Sequence, residues 1–338
     1  MTTEPQADRF APNADSTSVG SPLPPPPPPS PEVPTALPPG GGVPPAPLAA
    51  SIKRPRIWPV FVGFAATVVV LILGQAVVGV GIALWSMSRG ATPGDIMAKP
   101  LEGIPPQLLM ILMYLPVAVA SVGVALAMRP LLGGSLRDSF GLGRPQMPRW
   151  GYALLLLGTW VPFAVAIGCA ALAASLGPTQ EGLEAIWAPG PAPLAIAYVL
   201  FIAFAPGFAE EFFFRGFMQQ QLLRRWSPWV AILVTSIFFA LLHVMPPAMA
   251  LAFPLGIWLG VLAWRTGSIW PGVFCHAIIN GVWNALQIFL HRNGPVTEME
   301  SPTAVEWAVF GVLGAVSLAA FVLCIVMLAR IRPQAQST

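Results

Sequence analysis

Long uninterrupted runs of apolar residues are the feature that most constrains this chain. Eight such runs occur, and each is close to the roughly 20 residues that a helix needs to cross the hydrocarbon core of a bilayer. Because the runs are continuous rather than alternating, helices are favoured over the strands of a membrane barrel. The predicted spans lie near 57–85, 105–128, 150–176, 193–223, 229–245, 247–265, 268–290 and 304–329.

The composition places the chain in the same class. Only 9% of the residues are charged and 55% are hydrophobic, whereas soluble domains usually contain about 25% charged residues. So few charges could not cover this much apolar surface in water. We therefore predict an all-α integral membrane protein with about eight transmembrane helices, of which the fifth and sixth form a tight hairpin at Pro246 and Pro247.

The first 55 residues differ from the rest of the chain. They are rich in proline and glycine and contain few large apolar residues, so they cannot offset the entropy lost on ordering. We predict a disordered, locally polyproline II tail at 1–55 and a polytopic membrane domain at 56–332. The tail is either a simple spacer or a docking segment for a proline-recognising partner.

Basic residues predict the orientation, because Lys and Arg are retained on the cytoplasmic side of a membrane. With the N-terminal tail inside, thirteen Lys and Arg residues of the tails and loops lie inside and three lie outside. Both termini are therefore predicted to be cytoplasmic, in a multi-pass protein of the cell membrane. Nothing in the sequence predicts a nucleic-acid partner.

Few ionisable residues lie deep within the predicted spans. They are Glu210, Glu211, Arg215, His243 and His276. Polar groups at this depth usually face a bundle interior or a wet cavity and serve a function. Because all five fall in a short stretch of the chain and on three helices, we expect them to cluster in space.

Helix geometry separates the two glutamates. Glu211 and Arg215 are four residues apart, so they share a face and can form a buried ion pair. Glu210 is rotated by about 100° from Glu211 and is left without that arginine. A carboxyl group in such an apolar site suits general acid–base chemistry near neutral pH. Pro206, one turn earlier, removes the hydrogen bond to residue 202 and could open space for water.

Two further pairs lie on the following spans. Phe239 shares a face with His243, and His276 shares a face with Asn280. At about 1.5 Å per residue, Glu210, His243 and Asn280 lie roughly 18–21 Å from their cytoplasmic helix ends and His276 lies roughly 12 Å from its own. The similar depths indicate one shared site.

These three motifs carry a resemblance to a known family. Glu210-Glu211-x-x-x-Arg215, Phe239-x-x-x-His243 and His276-x-x-x-Asn280 resemble the signature of the CPBP family, which includes CAAX prenyl endopeptidases and bacterial abortive-infection proteins. The resemblance covers about 190–290 and implies an intramembrane endopeptidase. It implies that Glu210 and His243 activate water, and that His276 and Asn280 stabilise the oxyanion. Glu211 and Arg215 would hold the helix in register.

The sequence leaves the metal open. Glu210, His243 and His276 could supply three zinc ligands with an open position, but a metal-free glutamate mechanism is equally consistent with the same residues. The HExxH and GxSxG motifs are absent from the sequence.

Two other functions remain possible at this stage. The chain could be a non-proteolytic membrane scaffold or immunity protein, or a proton-coupled transporter, although repeats typical of transporters are not evident. The abundance of Ala, Gly, Pro and Arg is typical of a GC-rich bacterial genome, where prenylated substrates are not expected. A membrane protein or peptide is therefore the expected substrate.

Overall fold

The computed structural model describes residues 56–98, 103–132, 135–177, 187, 190–292 and 303–331. Within these ranges the chain is helical and contains no strand, which confirms the predicted all-α class. The predicted disordered tail, 1–55, lies outside the described residues, and so does the C-terminal segment 332–338.

The described residues form twelve α-helices, of which several are short connecting turns. They are α1 Trp58–Ser88, α2 Pro93–Ala98, α3 Pro106–Met128, α4 Leu136–Ser139, α5 Gly151–Gly158, α6 Trp160–Ser175, α7 Ala192–Glu211, α8 Gln220–Leu223, α9 Pro228–Leu241, α10 Pro246–Thr266, α11 Trp270–Arg292 and α12 Ala304–Arg330. A 3₁₀ turn follows α3 at Arg129–Leu131, and a π-helical segment, Phe212–Gln219, joins α7 to α8. We call the latter the π segment.

All eight predicted spans are helical, but they differ in length. Seven helices or helix pairs are long and apolar enough to cross a membrane, which makes the chain a multi-pass membrane protein. The eighth, α9, has 14 residues and ends at Leu241 rather than at the predicted 245. Its length of roughly 21 Å is less than the hydrocarbon thickness of about 30 Å.

Prolines and one glycine set many of the helix ends. Helices α1, α3, α7, α9, α10 and α11 each carry a proline at their first or second position, where the missing N–H has no helical partner to lose. Helix α10 is terminated by the residue that follows it, Gly267, whose φ of 65° lies in the left-handed region. The short connection from α9 to α10 confirms the predicted hairpin, and the two helices pack against each other.

Helix α7 and the π segment lie at the centre of the packing. Helix α7 packs against α3 and α11, while α10 packs against α6 and α9. Three phenylalanines of the π segment, Phe213, Phe214 and Phe217, are fully buried in the largest core cluster. By contrast, only 11% of the most apolar 18-residue stretch of α1 is buried. The central helices therefore form the protein interior, and α1 presents most of its surface outward.

Candidate active site

A buried ion pair joins the end of α7 to the π segment. The Arg215 guanidinium Nη1 donates to Glu211 Oε1 over 2.8 Å, and the two side chains are 1% and 0% exposed. The spacing of four residues predicted this pair, and the structure contains it. Because each charge neutralises the other, both can remain in a region that excludes water.

Two further contacts compensate the charge of Arg215. Its Nη2 donates to the Gly256 carbonyl on α10 over 3.0 Å. Its Cζ lies 4.4 Å from the ring centroid of Phe239 on α9, within the range of a cation–π interaction. The arginine therefore links the π segment to both helices of the α9–α10 hairpin.

Glu211 has a second partner on α11. The Nδ1 atom of His276 lies 3.1 Å from the same Glu211 Oε1 that accepts from Arg215. A carboxylate can only accept when ionised, so this contact assigns the Nδ1 proton to His276 and directs its Nε2 away from Glu211. Glu211 thus orients a histidine in addition to pairing with an arginine.

Gly272 makes room for this carboxylate. A Cβ atom at Gly272 would lie 2.8 Å from Glu211 Oε2. That oxygen is buried and makes no hydrogen bond among the described residues. Gly272, His276 and Asn280 follow one another at intervals of four residues on α11, so they lie on one helix face. The spacing of four residues from His276 is the sequence signal that could have placed Gly272 on the site-facing side of α11.

Glu210 occupies a different environment from its neighbour. Among the described residues, its ion-pair contact is with His276, whose Nε2 lies 3.8 Å from Glu210 Oε2. The side chain of Glu210 is 8% exposed, compared with 0% for Glu211. Glu210 is therefore near a histidine, outside direct hydrogen-bonding distance, and slightly accessible.

His243 lies in the turn that follows α9. Its Nδ1 lies 2.9 Å from the Phe239 carbonyl oxygen, which can only accept. Nδ1 therefore carries a proton in this contact, and Nε2 is the nitrogen that faces no hydrogen-bond partner among the described residues. The side chain is only partly buried.

Phe239 lies between the two imidazoles. Its ring is 5.0 Å from the His243 ring at 74°, and 6.0 Å from the His276 ring at 89°, both edge-to-face arrangements. Since the same ring also faces Arg215, Phe239 packs against three of the predicted site residues. The sequence motif contains Phe239, but it does not reveal this central position.

The backbone after His243 is strained. Val244 has a φ of 60°, which is unfavourable for a β-branched residue. The Met245 N–H donates to the His243 carbonyl over 2.6 Å and closes the turn. This turn ends α9 early and allows α10 to begin at Pro246. Sequence reasoning missed it because valine gives no signal for a left-handed conformation.

Asn280 makes a hydrogen bond to another helix. Its Nδ2 donates to the Ile202 carbonyl on α7 over 3.2 Å. This is the carbonyl that Pro206 was expected to leave without a helical donor. The structure therefore brings Asn280 to α7, within the same bundle region as Glu210 and His276.

The arrangement does not fit a three-ligand zinc site. Among the described residues, no three His, Cys, Asp or Glu side chains come together as a group that could hold a metal ion. Both candidate histidines direct Nδ1 at an oxygen, that of Phe239 or Glu211, so Nε2 is in each case the nitrogen left for a metal. Because Glu210, His243 and His276 are not grouped around one point, we derive no step through a metal.

The fold and the site together define a class. The chain is a multi-pass α-helical membrane protein that buries a Glu–Arg ion pair and a histidine among its central helices. Residues 192–282 match the family described as type II CAAX prenyl endopeptidase Rce1-like. The match begins at α7, ends within α11 and includes all six predicted site residues. It confirms the family predicted from the three motifs.

Two further comparisons gave no match. A search of curated proteins and a search of solved structures each found none for this chain.

Proposed function

We propose that the protein is an intramembrane endopeptidase that hydrolyses peptide bonds of membrane proteins or peptides. At the family level, the Rce1-like match supports an endopeptidase of the CAAX-protease type. The observation that carries the proposal is the position of Glu210, which lies 3.8 Å from His276 and outside the Glu211–Arg215 ion pair. It is an ionisable group left free for acid–base chemistry within a buried site.

In the proposed mechanism, Glu210 and His243 activate a water molecule. One of them accepts a proton as the water oxygen attacks the carbonyl carbon of the scissile peptide bond. The resulting tetrahedral oxyanion is stabilised by hydrogen bonds from Asn280 and from His276. Because Nδ1 of His276 faces Glu211, its Nε2 donates to the oxyanion only when the ring carries a proton on both nitrogens. Collapse of this intermediate breaks the C–N bond, and the proton passes to the leaving amine. The products are a carboxylate and a free amine.

The neighbouring ion pair supports this chemistry indirectly. Glu211 and Arg215 hold the π segment against α10, and Glu211 also fixes the orientation of the His276 ring. We therefore assign them a structural role rather than a direct one. In this proposal 190–290 forms the catalytic core of the membrane domain 56–332.

The substrate and the location follow from the same reasoning. A site buried between membrane helices suits a peptide segment that lies in or at the bilayer. We place the protein in the cell membrane with both termini in the cytoplasm, as the distribution of basic residues indicates. A reporter fused after residue 338 should be cytoplasmic, and a signal from the other side would contradict this orientation.

The function is tested by comparing membrane peptides between cells that express the wild type and cells that express Glu210→Gln. We expect some cleavage products to appear only in cells that express the wild type. Purified wild-type protein in liposomes should cleave the same substrates. A scaffold or immunity function would instead survive the Glu210→Gln substitution. Equal cleavage by both proteins would refute the proposed role of Glu210.

A separate measurement addresses the metal. We expect purified protein to retain activity after exhaustive chelation, with metal content verified by elemental analysis. Stoichiometric zinc that is lost together with activity, and that restores activity when added back, would establish a metalloenzyme and contradict the metal-free mechanism.

A further inference from the structure

Helix α7 contains a carbonyl group whose regular backbone donor is missing. Pro206 lies inside the helix and has no N–H, so the Ile202 carbonyl lacks the donor that a regular α-helix would supply. Ile202 is only 5% exposed, and a buried carbonyl without a partner is unfavourable. A donor from a neighbouring helix would therefore stabilise this position.

Asn280 supplies that donor. Its Nδ2 lies 3.2 Å from the Ile202 carbonyl oxygen. An asparagine amide carries two N–H donors and one acceptor oxygen, and this bond uses one of the donors. In the described residues, no other hydrogen bond holds the Asn280 side chain. The remaining N–H is therefore available to a ligand.

We propose that Pro206 is a positioning residue for Asn280. The proline frees the Ile202 carbonyl, and that carbonyl fixes the Asn280 amide in an orientation that leaves its second N–H available to the oxyanion. This inference rests on the proposed endopeptidase function. It gives the proline a role beyond a helix kink, because removing the proline would return the carbonyl to the backbone.

A second hydrogen-bonded connection fixes the same helix pair. Asn284 donates from Nδ2 to the Asn280 backbone carbonyl over 2.9 Å, and its Oδ1 accepts from the Tyr198 hydroxyl over 2.8 Å. Tyr198 and Ile202 are four residues apart on α7, as are Asn280 and Asn284 on α11. Two successive turns of each helix are thus joined, which sets their register at the level of Asn280.

Bond energetics explain why the proline should affect the rate. A donor to an oxyanion contributes to the transition state only if it is held in place before the reaction, and loss of one such donor costs about 10²–10³-fold in kcat. A misplaced group costs up to about 10²-fold. In a Pro206→Ala variant, the new backbone N–H competes for the Ile202 carbonyl, and the Asn280 side chain is less restrained.

A double-mutant cycle tests the inference. We expect Pro206→Ala to lower kcat about tenfold or more with little change in KM, and Asn280→Ala to lower kcat about 10²–10³-fold. The double variant should be no slower than Asn280→Ala alone. Pro116→Ala in α3 is a matched control, because it also removes a proline inside a membrane helix and should leave kcat unchanged. If Pro206→Ala caused the same loss in the wild type and in the Asn280→Ala variant, the inference would be overturned.

Thermal unfolding tests the anchor without turnover. Asn280→Ala should lower the unfolding temperature by about 2–4 °C when Pro206 is present. The decrease should be clearly smaller when Asn280→Ala is combined with Pro206→Ala, because the backbone then serves the carbonyl. Additive temperature changes would overturn the inference, even in a protein without cleavage activity. Failure of the proposed function would be recognised by a different result, in which the wild type and Glu210→Gln cleave at equal rates.

Discussion

Glu210 and Glu211 are adjacent in the chain, but they occupy two different regions of the molecule. Glu211 lies in a closed region with Arg215, His276 and Gly272 around it, and its side chain is 0% exposed. Glu210 lies on the slightly exposed side, where its ion-pair contact among the described residues is with His276 at 3.8 Å. The two carboxylates share a residue type and a depth, but not an environment.

This difference shows how one helix can separate structural and chemical work. A rotation of about 100° per residue directs neighbouring side chains to different partners. The closed carboxylate keeps an arginine and a histidine in place, and the open one is the group that exchanges a proton in the proposed mechanism. His276 contacts both, with Nδ1 toward Glu211 and Nε2 toward Glu210, so it connects the two regions.

The largest effect is expected at the open carboxylate. Glu210→Gln preserves the size of the side chain but removes its ability to accept a proton, so cleavage should fall by roughly 10²–10⁴-fold. Stability should change little, because no ion pair with arginine is lost. The measurements are initial cleavage rates in liposomes and thermal unfolding of the same preparations. A rate equal to that of the wild type would show that the two regions are wrongly assigned.

A large loss of stability is expected at the closed carboxylate. Glu211→Gln leaves the Arg215 charge buried without its counter-charge, which should cost about 3–5 kcal/mol of unfolding free energy. Denaturant unfolding in detergent measures this, with Glu210→Gln as the matched control one residue away. If both variants lost the same stability, the distinction between a structural and a chemical glutamate would fail.

A moderate effect is expected from filling the space beside Glu211. Gly272→Ala places a Cβ atom at 2.8 Å from Glu211 Oε2, and the carboxylate is restrained by its bonds to Arg215 and His276. We expect a loss of about 1–3 kcal/mol, as for overpacked cores. The same unfolding assay applies, and unchanged stability would mean that the closed region can relax freely.

The smallest effect is expected at a second glycine of α11. A Cβ atom at Gly281 would lie 3.2 Å from the Ala203 side chain rather than near a charged group. Alanine also favours a helix over glycine by up to about 1 kcal/mol, which should offset the crowding. We expect Gly281→Ala to remain within about 0.5 kcal/mol of the wild type. If Gly281→Ala lost as much unfolding free energy as Gly272→Ala, both losses would be explained by helix packing rather than by contact with the Glu211 carboxylate.

Local periodicity accounts for most of what the sequence could predict. The apolar runs identify all eight helical segments, and the spacing of four residues identifies the Glu211–Arg215 pair. Such features depend on residues close in the chain, whose relative positions in a helix are fixed by geometry. The proline also indicated which carbonyl on α7 would lack a backbone donor.

Contacts between helices could not be obtained in this way. The bond from Asn280 to Ile202 and the position of Phe239 between two histidines depend on how three helices pack. The π segment and the left-handed Val244 have no distinctive residue pattern, since their conformations are imposed by surrounding packing. The sequence therefore indicates the candidate site residues, and the structure shows how they are oriented.

The short length of α9 has a consequence for the surrounding lipid. A helix of 14 residues leaves roughly 9 Å of a typical hydrocarbon core unmatched, and bilayers adapt to such a mismatch by local thinning. Since His243 lies just past the end of this helix, headgroups and water would come closest to the bundle beside the proposed base. We expect cleavage in liposomes of shorter-chain lipids to be faster than in longer-chain ones, and equal rates would contradict this link between membrane thickness and water supply.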